Sequence, residues 1–298
     1  MKVLLTGSTG LVGSALLSQL RSNGDQVDIL VRRTALNGHD IQWNPATGEL
    51  HQETLEGYDA VVHLAGEGIA DGRWTQQKMD RIRESRVQGT DLLCRSLASL
   101  KHKPQVLICA SAVGYYGDSG EQVLTENSPA GTGFLAEVCQ AWEQACTPAK
   151  EAGIRVVNMR IGVVLSAQGG ALAKMLLPFQ LGVGGKIGDG KQWMSWIELS
   201  DLVGSICHAI QDETIEGQVN AVSPQPVTNY EYTKTLGSVI SRPTLLPLPA
   251  IGARLVLGKM ADELLLSSMR VEPQVLLKSG YKFKHPNLEG ALRAALER

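Results

Sequence analysis

The segment that most constrains how this chain can fold lies at its start. "KVLLT" is an apolar run of strand length, and "TGSTGLVG" (Thr6 to Gly13) follows it and opens a stretch with helical spacing. Strand, glycine turn and helix in that order ask something different of each glycine. Gly7 permits a tight turn, Gly10 lets the backbone approach a ligand, and Gly13 lets the helix pack close to the strand. The helix start then offers unpaired N–H groups and a partial positive charge, which suits a pyrophosphate. With Ser8, Thr9, Leu11 and Val12 completing the turn, Gly7 to Gly13 is the expected seat of a dinucleotide.

The pattern that follows agrees. "QVDILV", "DAVVHLA", "PQVLICAS" and "IRVVNMR" are apolar runs separated by segments predicted to be helical from Leu11 to Ser22, Trp74 to Leu100 and Phe134 to Ala152. Continuous apolar strands between helices mean a parallel sheet covered on both faces, a doubly wound α/β fold. Gly24 and Gly153 stand where helices should end. After Arg160 the text turns glycine-rich, with two tryptophans, and reads as loops and short helices laid over a site. The expected division is a cofactor domain over 1–165, joined by a later strand near 218–222, and a substrate-side region over 166–298. The latter includes a C-terminal extension from about 242 to 298.

Composition excludes several classes. The net charge of -2 leaves no basic surplus for nucleic acid or an anionic membrane. No apolar stretch approaches the roughly 20 residues that span a bilayer. The opening residues read as a strand rather than a signal peptide. The five cysteines are scattered without a CxxC pair, so buried reduced thiols, a cytoplasmic location and no metal site are expected.

The second strand ends in "ILVRR", about 19 residues past Gly13, where an acidic residue would hold the ribose hydroxyls of NAD. Arg32 and Arg33 stand there instead. Two guanidiniums suit a 2′-phosphate, so the expected cofactor is NADP(H). In "HLAGE", small Ala65 and Gly66 would let the cofactor cross the strand tip, flanked by Leu64 and Glu67, while His63 reads as a packed strand residue. Arg86 and Arg160 are expected to reach cofactor phosphate or substrate.

"TGSTGLVG", "DAVVHLAG", "SAVGYYGD" and a helix ending in "WE" resemble the extended short-chain dehydrogenase/reductase superfamily of nucleotide-sugar epimerases and dehydratases. "HLAGEGIADGRW", "GGALAKMLLPF" and "GDGKQWMSWIELSDL" are similar to a narrower subgroup, the epimerase family proteins or predicted nucleoside-diphosphate-sugar epimerases. The tail from "PLPAIGARLVLGKM" onward resembles that subgroup's C-terminal extension of unknown function. The resemblance implies an NADP(H)-binding Rossmann fold and a homodimer through the two long helices, and leaves the small-molecule substrate open. It also implies a tyrosine and, one helical turn later, a lysine for proton transfer. Anchored on Glu143, those positions hold Leu135 and Cys139; shifted by one they hold Phe134 and Val138. Neither register restores the pair. The serine that orients substrate maps to Ser111 or Ala112, one residue of alignment deciding which, and Ser111 is the one carried over.

Tyr230 and Lys234 have the right spacing but fall on a peripheral helix, whereas Cys139 reads as a small packing residue. The candidates for a replacement acid are Tyr115, Tyr116 and Glu67. Lys174, Gln192, Trp193 and Trp196 are the substrate-side candidates, with the tryptophan loop equally readable as a packing plug. Two functions follow: an NADP(H)-dependent oxidoreductase or epimerase with an unusual proton donor, or a non-catalytic NADP(H)-binding sensor.

Overall fold

The computed structural model describes residues 1–36 and 38–297; Asn37 and Arg298 lie outside the described residues. Its centre is an eight-stranded sheet among these residues. The strands used below are β1 (Lys2–Thr6), β2 (Gln26–Val31), β3 (Asp40–Asn44), β4 (Glu49–Leu50), β5 (Ala60–His63) and β6 (Val106–Ala112). The sheet order is Gly217–Ala221, Arg155–Ile161, β6, β5, β1, β2, β3, β4, and every neighbour pair is parallel except β3 with β4.

Alternating side chains divide the sheet between two cores. Val3, Leu5, Val62 and Ile108 face one side with Leu16, Leu20, Leu202 and Ile206, from helix α1 (Leu11–Ser22) and the helix Leu199–Gln211. Leu4, Val61 and Leu107 face the other with Leu93, Leu97 and Trp142, from α2 (Gln76–Ala98) and α3 (Phe134–Gln144). Burial on both faces is why these strands read as unbroken apolar runs. The chain leaves β1 toward β2 and β3, then returns to β5 on β1's other side. That reversal opens a crevice at the C-terminal ends of β1 and β5, where open α/β sheets bind ligands.

Two expectations change. The helix expected from Phe134 to Ala152 is two helices, Phe134–Gln144 and Thr147–Glu151, because Pro148 can begin a helix but not continue one. Strand β3 also emerges from "DIQWN", where no apolar run signalled it; pairing with β2 at Ile29 to Val31 holds it. The predicted late strand is Gly217–Ala221, at the sheet edge.

The C-terminal residues fold back on this frame. Asp201, at the start of the helix Leu199–Gln211, accepts the backbone N–H of Lys284 at 2.7 Å and of His285 at 2.8 Å. The helix Leu288–Ala295 then packs Leu288, Ala291 and Leu292 against Tyr232 and Leu236 of the helix Asn229–Val239.

Candidate cofactor and active site

The glycine turn lies at the crevice. Gly7 adopts φ +73°, and a Cβ there would come within 2.8 Å of the Leu64 carbonyl carbon at the tip of β5. A Cβ on Gly13 would lie 2.1 Å from the Gly7 oxygen, so α1 reaches the strand only because Gly13 has no side chain. Gly10 meets nothing closer than 3.4 Å, consistent with a surface kept open for a ligand. No side chain caps α1 and no acidic residue stands in its first turn, which leaves its positive end available to an anion. Ser8 is buried in the turn, Thr9 is exposed, and Leu11 and Val12 are half-buried.

The two arginines after β2 separate. Arg33 pairs with buried Asp40 at 2.7 Å and donates to the Thr34 carbonyl, so it serves the β2–β3 junction. Arg32 is exposed and has no hydrogen-bond or ion-pair partner among the described residues. Of the two guanidiniums expected on a 2′-phosphate, Arg32 is the one left free to reach it.

Across the crevice, the Thr6 hydroxyl accepts the N–H groups of Leu64 and Ala65, each at 3.1 Å, and donates to His63 Nδ1 at 2.7 Å. With two N–H groups accepted, Thr6 has its proton left for Nδ1, which leaves His63 Nε2–H to face Thr90 at 3.0 Å. Complete burial depresses the His63 pKa to about 4, so the ring is neutral and packed, edge-on to Trp43. Arg86 is half-buried beside the Gly66–Glu67 turn. It donates to the Glu67 and Ile82 carbonyls, lies over Trp142, and would be only 3.2 Å from a Cβ on Gly66. It therefore shapes the Gly66–Glu67 turn. Glu67 is held by Lys78 at 2.7 Å, and that hydrogen bond keeps its carboxyl below the usual range, against a role as proton donor.

At the end of β6 lies a buried ion pair. Arg160 forks onto Glu143 with two contacts of 2.8 Å, Ser111 donates to the same carboxylate at 2.8 Å, and Arg160 also donates to the Tyr116 hydroxyl at 2.9 Å. Tyr116 in turn donates to Asn220 Oδ1 at 2.7 Å, with the Thr125 carbonyl 3.0 Å away. Tyr116 is buried, and burial raises its pKa. Tyr116 and Arg160, for which sequence suggests a catalytic role and a cofactor contact, are both buried and hydrogen-bonded to one another. Tyr115 differs. It is half-buried, its ring lies 3.5 Å under the Arg160 guanidinium, and its hydroxyl has no hydrogen bond among the described residues.

Leu135 and Cys139, the positions of the register anchored on Glu143, both lie against the end of β6 and the turn after it. Leu135 packs on Gly114, where an added Cβ would approach it to 3.2 Å, and Cys139 faces Ser111 and Ala112. Apolar groups therefore hold the places where a tyrosine and lysine were sought. Burial pushes the Cys139 thiol up to about 11, which removes it as a nucleophile near neutrality.

A cavity of about 240 Å³ opens beside Leu135, lined also by Gly114, Thr132, Glu263, Leu266 and Met269. The expected substrate-side residues lie elsewhere. Trp196 is buried, with its indole donating to the Gln225 carbonyl. Gln192 is buried and donates to the Ile187 and Leu265 carbonyls. Trp193 donates to Glu121 beneath Arg270. Lys174 is exposed and holds Asp71 and the Ala70 carbonyl. The tryptophan loop is thus a plug between the sheet and the C-terminal segment.

Sequence reading did not single out the buried partners that Glu143 gathers, although "WE" marked its position, nor the contact of Glu263 with α3. Glu263 accepts the N–H of Phe134 at 2.9 Å and of Leu135 at 3.2 Å, at the start of α3. Gly133, with φ +108°, makes room for it, since a Cβ there would sit 2.9 Å from its oxygen. A partner 129 residues away leaves no local signal.

The switch point, the glycine turn and the free arginine together define a dinucleotide-binding α/β protein. The comparisons agree. The NAD dependent epimerase/dehydratase family matches residues 3–223, and a domain of unknown function, DUF1731, matches residues 248–295. The chain belongs to the NAD dependent epimerase/dehydratase family. It is 42% identical over 296 residues to an epimerase family protein of Mycobacterium leprae, covering 99% of this chain and 96% of that one. A crystal structure of human epimerase family protein SDR39U1 with NADPH matches with a TM-score of 0.92 and 33% identity, covering all of both chains. The UDP-glucuronic acid 4-epimerase of Bacillus cereus shares the fold, with a TM-score of 0.78 at 17% identity over all of this chain and 96% of that one. Among the described residues no helix is long and apolar enough to cross a membrane.

Proposed function

We propose that the protein binds NADP(H) and acts as an oxidoreductase or epimerase on a small hydroxyl or carbonyl compound or a nucleotide-linked sugar, without a tyrosine–lysine pair. The observation that carries this reading is Arg32, unpaired at the end of β2 beside an uncapped helix start. The NADPH named in the human relative's structure supports it. The α1 N–H groups would hold the pyrophosphate and Arg32 the 2′-phosphate, while the bound nicotinamide would supply hydride exchange. Tyr115 is the proton donor we assign, because its hydroxyl is free while those of Ser111 and Tyr116 are committed. The protein works in the cytoplasm on this reading, which suits five unbridged cysteines. The homodimer through α2 and α3 rests on the family resemblance and is checked by sedimentation.

A second reading, a non-catalytic NADP(H)-binding sensor, is favoured by Leu135 and Cys139, neither of which can exchange a proton at neutral pH. A fluorescence titration with NADPH and NADH tests what both readings share. NADPH should bind more tightly than NADH. Arg32→Ala should weaken NADPH by about 10- to 100-fold, the worth of one lost charge-assisted contact. Arg33→Ala should change Tm more than affinity, because Arg33 serves Asp40. Equal NADH and NADPH binding, untouched by Arg32→Ala, would refute the cofactor assignment. A carbonyl-substrate screen with Tyr115→Phe as control then separates enzyme from sensor.

A further inference from the structure

The stretch from Pro249 to Leu266 supplies one wall of the cavity beside Leu135 through Arg254, Asp262, Glu263 and Leu266. Its two ends are pinned. Upstream, Leu248 exchanges backbone hydrogen bonds with Lys186 and Gly188, each 2.9 Å. Downstream, Ser268 N–H donates to Asp118 at 3.0 Å and Met269 N–H to the Trp193 carbonyl at 3.1 Å.

Between the pins few hydrogen bonds hold the stretch to the body; Ala253, Met260 and Ala261 are buried, Leu264 packs on the cluster of Ile82 and Phe134, and Lys259 lies over the Phe134 ring. Arg73 reaches the Leu255 carbonyl from an exposed position, and Gln192 reaches the Leu265 carbonyl close to the downstream pin. The Arg254–Asp262 ion pair is internal to the stretch and ties it to nothing else. Few of its apolar residues are buried, and Ile251, Leu255 and Val256 are 67–73% exposed. Gly258, with φ +60°, separates its two helical parts. Such segments, poor in buried apolar contacts, open at lower free energy than the fold that carries them.

One contact stands apart. The Glu263 carboxylate spans the first two N–H groups of α3, a charge on the positive end of a helix, in a space that Gly133 keeps clear. It fastens the middle of the stretch to the wall of the cavity that Leu135 forms. We propose that residues 249–266 are a lid on this cavity, that Glu263 is its latch on α3, and that breaking those two hydrogen bonds admits the substrate. With the stretch in this position the cavity, at about 240 Å³, is smaller than the roughly 300–1,000 Å³ of ordinary ligand pockets. A nucleotide-linked sugar would therefore require the lid to open, and a small carbonyl compound would be enclosed when it shuts. The lid does not depend on which cofactor binds, since Glu263 lies outside the glycine turn and away from Arg32.

The test is amide hydrogen exchange, read by mass spectrometry on the full chain, for wild type, Glu263→Gln and Glu263→Ala. In the wild type, peptides within 250–266 should exchange faster than those covering 186–188 and 268–276. Glu263→Ala should accelerate 250–266 and the first turn of α3 by about 100-fold or more, the loss of two charged hydrogen bonds. Glu263→Gln, which keeps one acceptor oxygen, should fall between. The rest of the chain and NADPH affinity should stay as they were, so a failure of cofactor binding would be read separately from a failure of the lid. Exchange of 250–266 in step with its flanks in all three proteins would overturn the proposal. So would equal acceleration of the whole chain in both variants, which would make Glu263 a strut of the fold.

Discussion

His63 shows how a single residue near a ligand site can be decided by its surroundings. Neutral and enclosed, it carries a pKa of about 4 in the fold against about 6.5 in the unfolded chain. The unfolded state therefore takes up a proton that the folded state refuses. This contribution to stability is complete above pH 6.5, shrinks as the pH falls, and is gone below about 4, a loss of up to about 3 kcal/mol. His63→Gln should melt earlier at pH 7 yet show a flatter decline of Tm between pH 6.5 and 4. Tyr116 is decided in the same way. Tyr116→Phe removes the group between Arg160 and Asn220 and should cost about 1–3 kcal/mol, while NADPH affinity stays within about twofold by our reading of its location away from the glycine turn. A large loss of affinity with unchanged Tm would return Tyr116 to the site.

Elements were legible where their signal is continuous. β1, β2, β6 and α1 follow from apolar runs and from the glycine turn, because burial on both faces leaves no polar interruption. β3 was not legible, since "DIQWN" mixes polar and apolar positions and gains its strand form from β2. The break after α3 carried a readable signal in Pro148 that length outweighed. Within the glycine turn the structure separates two roles that sequence could only assert. Gly13→Ala drives a Cβ into the Gly7 carbonyl, so it should lower Tm and abolish NADPH binding together. Gly10→Ala finds room in the protein and should leave Tm unchanged while weakening NADPH more than tenfold, if the backbone approaches the pyrophosphate there. Equal Tm losses in the two variants would contradict this division.

At the scale of the whole molecule, sequence revealed the seat of the dinucleotide far better than the region opposite it. The first is local: strand, turn and helix lie within Lys2 to Ser22. The second is assembled from distant parts, with Glu143 meeting Arg160 and Ser111, and Glu263 meeting α3, so no window of sequence contains it. The absence of a tyrosine and lysine was readable, but what fills their place was not. The tail depends equally on distance. Asp201 holds Lys284 and His285, and Asp201→Asn should loosen residues 272–297 by about 1–3 kcal/mol. Limited proteolysis should then cut the tail first, leaving the sheet intact; cleavage that starts in the sheet would contradict it.

The junction of Glu263 with α3 also bears on the order in which the chain is completed. Helix α3 leaves the ribosome 129 residues before the carboxylate that caps it. At a synthesis rate of about 5–20 residues per second, the start of that helix waits roughly 6–26 s for its partner. During that interval water must satisfy its N–H groups, and the apolar surface around Leu135 stands open. The nascent sheet can close early, but the cavity beside Leu135 gains its Glu263 wall only once residues 249–266 have been made.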